Sequence, residues 1–216
     1  MAKKQIVNNP CKYILIDGDD TLWEENILFR KVVSSTAELL SSIIQLPTKE
    51  ILSILIKELE SDNSPLIASN ACGVDVFIDT LLSIANKIST NSPTIKVKNE
   101  LEKQRLFLKT YPIQLKKGVK DTLPRLADKY ECIFYSQGSY EAQSTKLRNS
   151  GLEKFFRDVF ITPHKNKYNL LNYLTTKEII PNKAMVVGNS PRSDINPACE
   201  LGIKAIYLEN HVTWRR

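Results

Sequence analysis

Two carboxylates stand two residues apart at the end of a short apolar run: Tyr13, Ile14, Leu15 and Ile16 lead into Asp17, Gly18, Asp19, Asp20 and Thr21. An extended or tightly turned backbone brings Asp17 and Asp19 toward the space beyond the strand's carboxyl end, where ligands bind in open α/β sheets. Like charges that close raise each other's pKa unless a cation or a shared proton lies between them. An all-oxygen donor set favours magnesium. An ordinary acidic turn is built from the same residue types, so the weight of the pair depends on what the rest of the chain adds.

Three further strand ends carry reactive side chains. Ser136 follows Phe134 and Tyr135, with Gln137 and then Gly138, which permits an anion to approach the amides ahead of a helix. Lys165, in TPHKNKY, comes just after another apolar run and is placed to neutralise a phosphate or pair with the carboxylates; Lys167 is the alternative. The segment GNSPRSD at 188–194 opens at a strand end and supplies Asn189 and Asp194, two oxygen donors suited to a hard cation. A Ser/Gly turn, a solvated lysine and a helix-capping aspartate are the plain accounts of these residues taken singly. Their shared placement at strand ends is what points to one site.

The elements that must position these residues follow from apolar periodicity. Strands are expected at 13–16, 132–135, 159–162, 184–187 and 205–208. Between the first two lies a long stretch with helical spacing only: helices at 27–44, at 48–59 with Thr48 as a cap, at 74–88 and at 96–108, broken at 61–65 and 90–93 by turn-rich segments. Later helices are expected at 119–127, 139–149, 168–176 and 194–201, with Gly151 and Gly202 as stops and Pro124 tolerable only near a first turn or at a kink. Strands alternating with helices imply an α/β fold, a Rossmann-like doubly wound parallel sheet built by right-handed crossovers. Residues 1–23 and 113–216 would form this core, and residues 24–112 an inserted all-helical cap, a natural lid.

The whole chain sets bounds. Its 216 residues allow a core domain and an insert, and 42% hydrophobic residues supply a core. The net charge of +6 comes from 30 Lys and Arg spread along the chain, which suits a small anionic substrate; no nucleic-acid partner is expected. Cys11, Cys72, Cys132 and Cys199 lack metal-type pairing and read as reduced structural thiols. The start of the chain has no apolar leader region, and no apolar run reaches the roughly 18 residues a spanning helix needs, so a cytoplasmic protein with no membrane partner is expected. Oligomeric state is not encoded in any pattern found.

Taken together, the four stations resemble the haloacid dehalogenase (HAD) superfamily of phosphohydrolases, in its order and over nearly the full chain. Asp17, Asp19 and Thr21 match its Asp-x-Asp-x-Thr motif, Ser136 its second, Lys165 its third, and GNSPRSD its fourth. The resemblance implies a Rossmann-like core with a helical cap and a magnesium-dependent phosphatase acting on a small phosphorylated metabolite, a nucleotide or a sugar or organic acid phosphate. Asp17 would become an aspartyl phosphate, and Asp19 would act as general acid and base. Asp17, the Asp19 carbonyl, Asp194 and Asn189 would hold magnesium; Ser136, Gln137, Gly138 and Thr21 would bind the phosphoryl group with Lys165. Dehalogenases proper lack a carboxylate at the Asp19 position, because a halide leaves without a proton. Asn189 stands where an Asp is usual, removing one charge beside the metal, and Gln137 replaces a common Asn. The DGDDTLW and NHVTW segments further resemble cytosolic small-metabolite hydrolases. A non-catalytic module of the same fold that binds a phosphate ligand or a protein, and a phosphomutase, are the competing readings.

Overall fold

The structure is a computed structural model that describes residues 11–61, 63–68, 73–89 and 95–211. The expected leaderless start at 1–10, Cys72, the break at 90–93 and Trp214 lie outside the described residues. The described residues divide into two compact units, one holding 11–23 and 114–211, the other 24–113.

The polypeptide enters the first unit through β1 (Tyr13–Ile16), and the second unit is helical. It contains α1 (Asn26–Ile44), α2 (Thr48–Leu59), α3 (Pro65–Ala68), α4 (Val74–Ile88) and α5 (Ile95–Thr110). Apolar residues three and four apart give α1 a buried stripe of Leu28, Val32, Val33, Ala37 and Leu40. Gln45 then takes a left-handed conformation at φ 58°, and its N–H reaches Ser41 O, which closes the helix. From Val32 to Leu40 the stripe packs with Ile51, Leu55 and Leu59 of α2 and with Phe77, Ile78 and Leu81 of α4. Phe29 meets Phe77 edge-on at 4.6 Å. Each such fully buried side chain contributes roughly 1.5–3 kcal/mol.

Thr48 does not cap α2, contrary to expectation. It lies inside the first turn, and the Pro47 carbonyl accepts from Glu50 N and Ile51 N, so Pro47 is the boundary residue. The turn-rich stretch near Ser61 also hides α3, which starts at Pro65, where proline's missing N–H costs a helix nothing.

The first unit is a five-stranded parallel sheet of β1, β2 (Glu131–Gln137), β3 (Asp158–Thr162), β4 (Ala184–Gly188) and β5 (Lys204–Tyr207), in the order β3-β2-β1-β4-β5. Its helices are α6 (Val119–Ala127), α7 (Tyr140–Asn149), α8 (Lys167–Thr176) and α9 (Asn196–Glu200). Leu15 pairs with Ile133 on one side and Val186 on the other, so β1 is central. Leu15, Ile133, Tyr135 and Val186 bury against Leu170 and Leu174 of α8 and Ala198 of α9. Phe134, on the other face, contacts Trp23 at 5.8 Å and Phe156 at 5.7 Å between ring centroids. Burial on both faces explains why these strands read as continuous apolar runs.

The chain moves outward from β1 to β3 and then crosses to β4 on the other side of β1. The strand order therefore reverses between β1 and β4, which opens a crevice at their carboxyl ends. Asp17 follows β1 there, and Gly188 ends β4.

Pro124 sits at the sixth residue of α6, where its ring nitrogen cannot donate to the Lys120 carbonyl. Among the described cysteines, Cys11, Cys132 and Cys199 are free thiols; Cys132 is buried and Cys199 exposed. No helix among the described residues is long and apolar enough to cross a membrane.

Candidate active site

The Asp17 N–H donates to Val187 O at 2.9 Å, which extends the β1–β4 ladder by one residue before the chain turns. Leu22 N then reaches back to Gly18 O at 2.8 Å, and Asp20 N bonds Trp23 O at 2.8 Å with Asp20 at φ 59°. Asp is among the few residues that tolerate this left-handed conformation. The turn thus aims Asp17, Asp19 and Thr21 from one short loop.

Asp17, Lys165 and Asp194 form a buried charged cluster, exposed by only 6%, 7% and 1%. The Lys165 ammonium donates to Asp17 Oδ1 and, at 2.7 Å, to Asp194 Oδ1. It also lies 4.4 Å from the centre of the Tyr135 ring, a cation–π contact. Burial disfavours the charge on Lys165, but the Asp17 and Asp194 carboxylates outweigh it and raise the ammonium's pKa, so the lysine stays charged. Burial first, and then the Asp194 carboxylate, push Asp17 up to about 7 against the pull of Lys165. Two carboxylates share one lysine, so with both ionised the cluster carries surplus negative charge in a desolvated place. That is the condition in which a cation is favoured.

The loop after β3 is built to deliver Lys165. Gln137 Oε1 accepts the Lys165 backbone N–H at 3.0 Å, and Asn169 Nδ2 holds His164 O at 2.8 Å. Lys167, the alternative, is the first residue of α8 and pairs with Glu200 at 3.0 Å on the surface. Lys165 is the lysine that reaches Asp17.

Asp194 was expected to open a helix; instead a wide π-helical turn, Pro191–Ile195, precedes α9. Ser190 Oγ accepts from Ser193 N at 3.2 Å to start it, and Ser190 N donates to Asp194 Oδ2 at 2.9 Å. Such single wide turns recur at functional sites because the extra residue re-aims a side chain.

Thr21 Oγ1 donates to Asp17 Oδ2 at 2.9 Å. The Asn189 amide, turned with its nitrogen toward the carboxylate, donates to Asp17 Oδ2 at 3.2 Å and Asp19 O at 3.3 Å. Asp19 itself faces α7: its Oδ1 accepts from Trp23 Nε1 and Lys146 Nζ, both at 2.8 Å, and its Oδ2 from Gln143 Nε2 at 2.9 Å.

Ser136 is buried near the end of β2, in a register that sets Phe134 beside Ile16 and so carries Ser136 just beyond the level of Asp17. The Gly138 N–H, expected to face an anion, donates to Thr162 O at 3.0 Å. The reason is that the β2–β3 ladder runs to the Gln137–Thr162 pair, past the strand end expected at residue 135. Arg30 and Arg105, charged residues of the helical unit, pair within it: Arg30 with Glu60 at 2.9 Å, Arg105 with Asp75 at 2.8 Å and Asp79 at 2.6 Å. Gln143 and Lys146 had no signal beyond sharing a helix face three residues apart after the second station.

Among the described residues, no three His, Cys, Asp or Glu side chains gather around one point. The candidate donor set is two carboxylates, Asp17 and Asp194, with the Asn189 amide and the Asp19 carbonyl beside them. Asp17, Asp194 and the Asp19 carbonyl offer oxygens, whereas Asn189 offers its amide nitrogen to them and would have to turn over to add a further oxygen; magnesium usually takes only one or two protein carboxylates alongside water and phosphate. The set fits that ion.

No family model and no curated protein matches the sequence. Solved structures do match. A haloacid dehalogenase-like family hydrolase from Xanthomonas campestris superposes with a TM-score of 0.78 at 19% identity, over 94% of this chain and 84% of that one. The HAD-hydrolase YfnB from Bacillus subtilis, bound to magnesium, gives 0.63 at 20% identity, over 92% of this chain and 87% of that one. An L-2-haloacid dehalogenase from Xanthobacter autotrophicus with chloropropionic acid covalently bound gives 0.58 at 13% identity, over 92% and 77%. At these identities the likeness is one of fold.

Proposed function

We propose that this chain, which has the fold of the haloacid dehalogenase-like hydrolases, is a phosphomonoesterase that cleaves a small phosphorylated metabolite through an aspartyl phosphate. The observation that carries the reading is the Asp17–Lys165–Asp194 cluster at the sheet's switch point, with a second carboxylate, Asp19, two residues from the first.

In the first step an Asp17 carboxylate oxygen attacks phosphorus in line with the ester oxygen. The bond to the alcohol breaks as the new O–P bond forms, and the leaving oxygen takes a proton from Asp19. In the second step Asp19 removes a proton from water as that water attacks the aspartyl phosphate, which releases phosphate and regenerates Asp17. Lys165 neutralises charge between Asp17 and Asp194 and keeps Asp17 oriented; Thr21 fixes its other oxygen. Asp17, Asp194 and the Asp19 carbonyl, joined by Asn189 once its amide turns its oxygen inward, would hold magnesium, which when bound offsets the repulsion between a carboxylate nucleophile and an anionic phosphate.

Solved neighbours include both a predicted phosphoglycolate phosphatase and dehalogenases. Asp19 favours the phosphatase reading, since an alkoxide needs a proton to leave and a halide does not. The test is phosphate release from p-nitrophenyl phosphate and a panel of nucleotide, sugar and organic acid phosphates, with and without magnesium. Chloride release from 2-chloropropionate is the parallel assay. Magnesium-dependent phosphate release that falls at least about 10³-fold in Asp17→Asn is expected. Chloride release without phosphate release, or a wild type inert across the panel, overturns the reading.

A further inference from the structure

We infer that Lys146 and Gln143 of α7 are positioning residues for proton transfer, fixing the Asp19 carboxylate on the side where the departing alcohol oxygen leaves. This rests on the phosphatase reading above and adds to it the residues that hold the proton donor.

A carboxylate on a single methylene can swing, and proton transfer needs it within hydrogen-bond reach of one particular oxygen. Trp23, Gln143 and Lys146 remove that freedom, with Trp23 and Lys146 on Oδ1 and Gln143 on Oδ2. Gln143 and Lys146 come from one face of α7, whose start is fixed by Ser139 Oγ accepting from Ala142 N at 3.2 Å.

Two features argue that these contacts serve Asp19 rather than the fold. Gln143 is buried, and its Oε1 has no hydrogen-bond partner among the described residues, so the amide's orientation follows from its donation to Asp19. An apolar side chain of the same shape would bury there without an orphaned acceptor. Space for the amide is provided by Gly138, at φ +144°, where an added Cβ would stand 3.2 Å from Gln143 Cγ and Nε2. The Lys146 ammonium adds a charge-assisted bond to the same carboxylate from a half-buried place, with side chains 25% and 22% exposed.

The leaving group reads this role out. p-Nitrophenolate departs without help from an acid, whereas the alkoxide of p-nitrobenzyl phosphate must be protonated as it leaves. kcat/KM for both esters should be measured in wild type, Lys146→Met, Lys146→Arg and Gln143→Leu, with melting curves on the same samples. The expected result is a loss on the benzyl ester at least about tenfold greater than on the phenyl ester in Lys146→Met and Gln143→Leu, with Lys146→Arg closer to wild type. Equal losses on both esters, or none on either, overturn the inference while leaving the phosphatase reading in place. A wild type that cleaves neither ester nor any panel substrate overturns both. If Gln143→Leu melts early, the Lys146 pair of variants decides alone.

Discussion

Gly188 lies directly against the Asp194 carboxylate: a Cβ built on Gly188 would stand 2.3 Å from Asp194 Oδ2 and 2.4 Å from its carboxyl carbon. No side chain fits there, so the last residue of β4 is a glycine because Asp194 folds back over the strand end. Gly188→Ala will displace Asp194 from Lys165 and lower the phosphatase rate about 10²-fold, the usual consequence of a misplacement near 1 Å. Steady-state kinetics, with circular dichroism to verify the fold, checks this. A near-normal rate would mean that Asp194 is not needed where it stands.

Lys165 is the sole ammonium found between Asp17 and Asp194 among the described residues. Removing it leaves two buried carboxylates facing each other, and breaking a buried pair in this way costs about 3–5 kcal/mol. Lys165→Met should therefore lose activity and melt well below wild type at neutral pH. Lys167→Met removes surface contacts, with Glu200 and with the Tyr168 ring, and should leave rate and melting temperature unchanged. Parallel melts and assays of the two variants measure this, and an active, stable Lys165→Met variant contradicts it.

Asp17 gives a pH dependence with a definite sign in protein stripped of divalent ions. Its carboxyl is raised from 3.8 to about 7, chiefly by burial and then by Asp194. The folded state therefore binds this proton more tightly than the unfolded chain, and the stabilisation it confers is present at low pH and lost as pH rises between those two values. Asp17→Asn lacks that loss. Its melting temperature in chelator should equal or exceed that of wild type above pH 7, although its activity is gone. Melting curves across pH for both proteins test the crossing, and a wild type that gains on the variant as pH rises would contradict it.

Asn189 touches Asp17 and the Asp19 carbonyl where a third carboxylate would add charge. Asn189→Asp replaces an amide donor by an anion beside Asp17. It should lower the melting temperature in chelator and reduce the magnesium concentration for half-maximal rate about tenfold, roughly 1.4 kcal/mol of tighter binding. Magnesium titrations of rate and of melting temperature measure both effects. An unchanged magnesium requirement would place Asn189 outside the metal's reach.

Much of what stands at these strand ends is legible in the sequence. Tyr13 to Ile16 ending at Asp17, and Ala184 to Val187 ending at Gly188, are local patterns: a strand buried on both faces must be apolar throughout, and it must stop where polar residues begin. The same locality made α1, α2 and α4 readable from their three-and-four spacing. The errors were local as well. Thr48 and Pro47 differ by one residue in who bounds α2, and the β2–β3 ladder consumed the Gly138 N–H because strand length is set by the neighbouring strand.

What the chain's order of residues determined by itself is which side chains stand at the ends of buried strands, because burial periodicity and turn chemistry act over a few residues. Only the tertiary structure decided which of them meet. Lys165 rather than Lys167 reaches Asp17 because α8 begins between them, and Asp19 finds Gln143 and Lys146 across 124 and 127 residues of chain. Those choices depend on strand order and register, which are settled by the packing of the whole sheet and are not written in any single stretch.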